Sequence, residues 1–228
     1  MANHFDLEEQ EQIDQLKHFW ESWGTLITSL LLVVFVALAG WNGWQFWQKR
    51  QAVQASALEF AVDEALAAKD QARADQAFAE LKEKYAGTAQ AAQTALQMSK
   101  VSVDAGKLDD AKAMLGWVAD KGDDSFKAIA RLRLSSVLEQ QKSYDEGLKA
   151  LDTAMPESFA GLQADRRGDL YAAQGKQQEA VAQYQTAYKA LDKDLDYRHL
   201  VEFKLNALGA TPEATAALVK TTPSEKTS

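Results

Sequence analysis

The chain has 228 residues with 25 Lys and Arg against 33 Asp and Glu, a formal charge of -8, and no cysteine. An acidic balance with no block of Lys or Arg leaves nucleic acid no electrostatic footprint, and it offers no polybasic patch for a membrane surface. The missing cysteines exclude disulfides, thiolate metal sites and cysteine nucleophiles together.

Residues 1–22 are acidic, with Asp6, Glu8, Glu9, Glu11, Asp14 and Glu21 against Lys17. Within them Ile13, Leu16 and Trp20, continued by Trp23, recur every three or four residues, which predicts a short amphipathic helix resting at an interface. Residues 23–47 follow as a transmembrane helix: Ser22 to Gln48 hold no charge, and the centre reads LITSLLLVVFVALAG. At about 1.5 Å per residue, roughly 22 residues match the roughly 30 Å hydrocarbon core. Trp20 and Trp23 lie at the front of this stretch and Trp41, Trp44 and Trp47 at its back, with Lys49 and Arg50 next. Indoles at both ends predict interfacial belts, and the acidic flank argues against a cleaved signal peptide, which wants a basic first region.

From 51 to 208 the chain is rich in Ala, Leu, Gln, Lys and Glu, has one proline at Pro156, and shows no alternating β-branched run, so it is predicted all-α. Gly87, Gly106, Gly175 and Gly209 fall where helices should stop. The best-formed unit starts at Gly161 and carries Gly168, Tyr171, Gly175, Ala180, Tyr184 and Ala187 at its positions eight, eleven, fifteen, twenty, twenty-four and twenty-seven. It resembles the tetratricopeptide repeat, in which small residues at eight and twenty let two helices approach and larger ones at eleven and twenty-four act as wedges. Weaker units start at Ala55, Ala92 and Ala128, roughly the expected 34 residues apart. A last helix near Leu195–Leu208 would close the open end, and residues 209–228 turn polar. The predicted fold is therefore one N-terminal transmembrane helix followed by a tetratricopeptide-like solenoid over 51–208.

No catalytic constellation, cofactor fingerprint or metal set emerges. His4, His18 and His199 do not pair at ligand spacing, the acidic pairs Asp109/Asp110, Asp123/Asp124 and Asp192/Asp194 suit helix starts, and no phosphate loop or nucleophile elbow occurs. The expected work is protein binding along a face built from the first helix of each unit. By unit position its candidates are Gln93, Leu96, Lys100, Ile129, Leu132, Ser136, Leu162, Asp165 and Asp169. Arg131, Arg133, Arg166 and Arg167 lie on or beside these helices and are expected to form ordinary surface pairs.

The acidic start, a span ending GWNGWQFWQ, and the stretches FKAIARLRLSSVLEQQKSYDEGLKALD and ADRRGDLYAAQGKQQEA together resemble the YfgM family over nearly the whole length. That resemblance implies an inner-membrane anchor, N-terminus cytoplasmic, with periplasmic repeats. It also implies association with the SecYEG translocon and with a membrane-anchored chaperone of the prolyl-isomerase type, PpiD-like, in help to proteins emerging into the periplasm. No residue-level active site and no cofactor come with it. One feature opposes this orientation: Lys17 before the span against Lys49 and Arg50 after it weakly favours cytoplasmic repeats. A membrane-anchored adaptor that sequesters a soluble signalling protein remains the alternative.

Overall fold

The computed structural model describes residues 7–212. Nine α-helices and one 3-10 turn make up these residues, with no strand among them: α1 Leu7–Ala67, α2 Gln71–Lys84, α3 Ala89–Asp104, α4 Leu108–Lys121, α5 Asp124–Gln140, α6 Tyr144–Leu151, α7 Ala160–Ala173, α8 Gln177–Ala190 and α9 Asp196–Ala207. The chain divides into two compact units, Met1–Val53 and Gln54–Ser228.

In the first unit the helix contains a stretch apolar and long enough to cross a membrane, and its large apolar side chains from Leu30 to Leu38 are exposed. A helix that is apolar all round and finds no protein to bury it suits hydrocarbon. Thr28 and Ser29 are polar there, and the Thr28 hydroxyl donates to the Gly24 carbonyl at 2.7 Å, so the helix satisfies it internally.

In the second unit helices alternate, and each first helix reaches its partner through the same turn. One residue takes a positive φ, at Lys69, Gly106, Lys142, Gly175 and Gly209. The N–H after it donates five residues back: Asp70 to Ala65, Lys107 to Ser102, Ser143 to Leu138, Lys176 to Tyr171 and Ala210 to Leu205, at 2.8 to 3.0 Å. This is the Schellman closure of a helix end, which satisfies carbonyls the helix itself cannot. The turns follow one another after 37, 36, 33 and 34 residues. That spacing shows the repeat more directly than side-chain identities do.

Five and nine residues beyond each of the first four turns the second helix buries a small residue and then a large one. The pairs are Ala74 with Phe78, Ala111 with Leu115, Gly147 with Leu151 and Ala180 with Tyr184. The small residue lets the helices close, and the large one fills the space below it. One cluster joins Val62, Phe78, Met98, Leu115, Val118 and Val137 across the earlier repeats, and another joins Ala164, Ala180, Tyr184, Val201 and Leu205 at the end.

Side-chain caps start several helices. Thr88 accepts from the Ala91 N–H at 3.2 Å and Asp123 from the Phe126 N–H at 2.9 Å. Asp123→Ala is expected to lower stability by about 1 kcal/mol and Asp123→Asn by far less, because Asn keeps the acceptor. Denaturant titration of the two variants checks this; equal losses would show that the cap contributes nothing. Gly87, expected to close a helix, does not: α2 ends at Lys84, and the N–H of its cap Tyr85 donates to the Leu81 carbonyl. The terminal helix forms as α9, but only Val201 and Leu205 are buried, while Leu200 faces out. Most of the polar segment after Gly209 lies outside the described residues.

Candidate functional site

Two surfaces concern function. On α1, Trp20, Trp23, Trp41, Trp44 and Trp47 are all more than half exposed, and the Trp44 and Trp47 rings lie 5.4 Å apart. Lys49 and Arg50 follow, also exposed. Helical rise puts Trp23 and Trp44 about 32 Å apart along the axis, the spacing two headgroup layers require.

The second surface is the row of first helices, α3, α5 and α7, continued by α9. Gln93 and Lys100 are exposed on α3, Lys100 pairing with Asp104 at 2.6 Å, whereas Leu96 is buried in the core. Ile129, Leu132 and Ser136 are half-buried on α5, and the Ser136 hydroxyl donates to the Leu132 carbonyl. On α7 Leu162 and Asp169 are half-buried, and Asp165 is wholly buried. These residues share a row, but Leu96 and Asp165 have no surface to offer a ligand.

Asp165 is buried because α9 lies over it. Lys204 reaches both Asp165 oxygens at 2.8 Å and Asp169 Oδ1 at 2.7 Å. The Tyr197 hydroxyl donates to Asp165 at 2.6 Å, and the Tyr184 hydroxyl donates to Asp169 at 2.8 Å. Arg166 then links Asp169, at 2.7 Å, to Glu139 of α5, at 2.6 Å. Burial works against the Arg166 charge, but Glu139 and Asp169 outweigh it and raise the guanidinium overall. Arg166 is therefore no ordinary surface pair: its side chain is 18% exposed and ties α7 to α5. Arg133 and Arg167 likewise donate to carbonyls, of Leu96 and Leu151. His199 stays on the surface beside Glu202.

Burial, followed by the neighbouring Asp169 and its hydrogen bond, pushes the Tyr184 phenol far above its ordinary range; burial and the Asp165 hydrogen bond do the same for Tyr197. A folded pKa above the unfolded value of about 10 means that the native state holds the proton more tightly. The stabilisation is complete below about pH 10 and is lost as pH rises beyond it. Stability is expected to fall above about pH 10, and less steeply in Tyr184→Phe. Equal alkaline slopes in denaturation series on the two chains would remove the phenol from the account.

A cleft of about 500 Å³ lined by α2, the end of α3 and α4 was not marked by sequence. Phe78, Val101 and Met114 line it, with Asp75, Lys82 and Asp110 among its charged residues. Its residues come from three helices and the turn between α3 and α4, and only packing brings them together. Among the described residues no cluster of His, Cys, Asp or Glu could hold a metal ion.

Paired helices in register, closed by one recurrent turn and wedged by small and large residues, define a tetratricopeptide-like repeat protein, here preceded by a candidate membrane span. A tetratricopeptide repeat-like domain family matches residues 17–210. A Neisseria gonorrhoeae protein named ancillary SecYEG translocon subunit is 37% identical over 210 residues, covering 91% of this chain and 100% of that relative. An Escherichia coli protein of the same name is 33% identical over 114 residues, covering 50% of this chain and 55% of the relative. The chain belongs to the YfgM family of ancillary SecYEG translocon subunits.

Proposed function

We propose that this chain is a non-enzymatic scaffold of the bacterial inner membrane that associates with the SecYEG translocon and holds its repeats in the periplasm, where they assist emerging proteins. The observation that carries this reading is the 37% identity extending over the whole of a relative named for that complex. The architecture is compatible with it. A repeat row presents side chains for protein contact, and a span supplies effective concentration near a membrane complex without demanding high affinity. A membrane-anchored PpiD-like prolyl isomerase is the second partner in this reading. The domain plan that goes with it is an acidic segment 1–22, a span 23–47, repeats 51–208 and a polar tail 209–228.

Affinity purification of the tagged full chain in mild detergent tests the association: SecYEG and the isomerase should co-purify at stoichiometries above those of an unrelated single-span protein. External protease on spheroplasts with intact inner membranes tests the orientation and should digest the repeats. One observation favours a second reading, a cytoplasmic adaptor that sequesters a soluble regulator: Lys49 and Arg50 follow the span, and only Lys17 precedes it. Protease protection until lysis, with a soluble regulator as the sole companion, would establish that reading instead.

A further inference from the structure

Successive second helices follow one another in one register, so the space between them can be compared position by position, counting from the positive-φ residue of each turn. Between α4 and α6 that space is bridged and filled. Lys112, six residues past its turn, pairs at 2.7 Å with Glu146, four residues past the next, and Gln141 donates to Asp109 at 2.8 Å. Leu138, four residues before the turn at Lys142, is 2% exposed. Tyr171 and Gln174 take the places of Leu138 and Gln141 before the turn at Gly175, again as large side chains.

Between α2 and α4 both devices are missing. Asp75 and Asp110 occupy the two bridging places, where like charges cannot pair, and Ser102 and Ala105 stand where Leu138 and Gln141 stand one repeat later. All four residues line the cleft of about 500 Å³, whose apolar wall includes Phe78, Val101 and Met114. A space of this size falls in the range of ordinary ligand sites. Ser102 is an independent sign that something belongs in it. The residue is 8% exposed, and whereas the Ser99 and Ser135 hydroxyls donate to carbonyls of their own helices, the Ser102 hydroxyl makes no hydrogen bond among the described residues. A hydroxyl largely withdrawn from water without a partner is unfavourable, and a polar atom of a ligand would relieve it.

The chemistry of the ligand follows from the place it fills. Lys112 shows what suits these two positions one repeat later: an ammonium at the carboxylate, carried on a flexible four-carbon stem. In the cleft Asp75 has only the Gln71 amide, at 2.8 Å, and Asp110 forms no ion pair among the described residues. Lys82 and Lys107 also line the cleft, but neither holds a bridging position, and the Lys82 ammonium lies over the Phe78 and Trp117 rings at 6.0 and 5.8 Å. We propose that this cleft binds a lysine side chain presented by an extended, apolar-flanked segment of an emerging protein. The ammonium lies between Asp75 and Asp110, the apolar neighbours rest on Phe78, Val101 and Met114, and the Ser102 hydroxyl donates to a carbonyl of the segment. The inference deepens the scaffold reading and rests on it for the source of that segment.

The test is fluorescence anisotropy of a labelled, end-capped Ala-Leu-Lys-Leu-Ala peptide on the purified full chain in nanodiscs of phosphatidylcholine, a lipid with no net charge to attract it. Binding should saturate, and norleucine or glutamate in place of the peptide's lysine should weaken it about tenfold or more, the loss expected for a hydrogen bond to a charged group. Asp75→Lys, which recreates the Lys112–Glu146 bridge with Asp110 as acceptor, should weaken binding of the lysine peptide about tenfold without lowering the melting temperature. Ser102→Leu, which supplies the side chain found one repeat later, should weaken it independently. Equal binding of the three peptides, tighter binding of the glutamate peptide, or unchanged affinity in Asp75→Lys would overturn the proposal. So would displacement by equimolar cadaverine, which would make a free diamine the ligand. Peptide release as chain concentration rises would assign the cleft to a second copy, and a gain in affinity on Lys220→Glu would assign it to the chain's own last residues; either result overturns the proposal too. Co-purification of SecYEG separates the two readings. If SecYEG is present and the peptide fails, only the cleft is wrong; if SecYEG is absent and the peptide binds, the translocon reading falls.

Discussion

Lys204→Met is expected to destabilise the repeat unit by about 3–5 kcal/mol, the largest effect of any surface-directed change in this protein. Lys204 is the cation on Asp165, whose side chain has no exposure at all, and it also touches Asp169. Asp169 keeps Arg166 and the Tyr184 hydroxyl if Lys204 is lost, but Asp165 keeps only the Tyr197 hydroxyl. A carboxylate out of water with one neutral donor faces most of its desolvation penalty uncompensated. The comparison that isolates this cause is Lys204→Met with Asp165→Leu: removing the carboxylate as well should restore most of the lost stability, since a well-packed apolar pair can replace a buried ion pair. Both are read from urea unfolding of the detergent-solubilised full chain. A single variant within about 1 kcal/mol of the parent, or a double variant no better than the single, would mean that Lys204 contributes only as a surface residue.

Gly168→Val is expected to cost about 3 kcal/mol or more, at or above the upper end of ordinary overpacking. A Cβ at this position would lie 2.4 and 2.5 Å from two ring carbons of Tyr184, and valine adds two methyl groups to it. The ring has no easy retreat. Tyr184 is 3% exposed, packs among Ala164, Ala180 and Ala187, and holds Asp169 through its hydroxyl at 2.8 Å. Relieving the clash therefore displaces either the ring or helix α7 and disturbs the polar network above it. Tyr184→Leu in the Gly168→Val background should recover part of the loss by making room; failure of that rescue would trace the destabilisation to the helix backbone instead of the ring. Gly175 has a different reason to be glycine: nothing lies within 4 Å of its missing Cβ, and its φ is +75°.

The unit beginning at Gly161 was legible because its signals are short-range. Gly168, Ala180, Tyr184 and Ala187 carry the small-and-large pattern in their own types, and all four are buried. The turns were half legible. Gly106, Gly175 and Gly209 announce a positive φ, but Lys69 and Lys142 make the same turn at φ 58° without glycine. For those two the register of packed helices overrides a residue preference worth about 1–2 kcal/mol. Family membership was legible too, since it rests on the combination of the span with the repeat.

The candidate protein-binding row shows where sequence stops. Unit position placed Gln93, Leu96, Lys100, Ile129, Leu132, Ser136, Leu162, Asp165 and Asp169 on first helices, but it could not say which of them a neighbouring helix would cover. Leu96 and Asp165 are buried, Arg166 ties α7 to α5, and Phe203 and Leu200 are left in the open. By itself the sequence determined the apolar span, its tryptophan flanks, the all-helical class and the repeat, because hydrophobic period, capping and composition act over one to a few turns of chain. Only the tertiary structure decided which polar groups are consumed inside and which apolar ones remain free. Those outcomes depend on partners 27 to 39 residues away, such as Glu139 for Arg166 and Asp165 for Lys204, that meet once the helices have stacked.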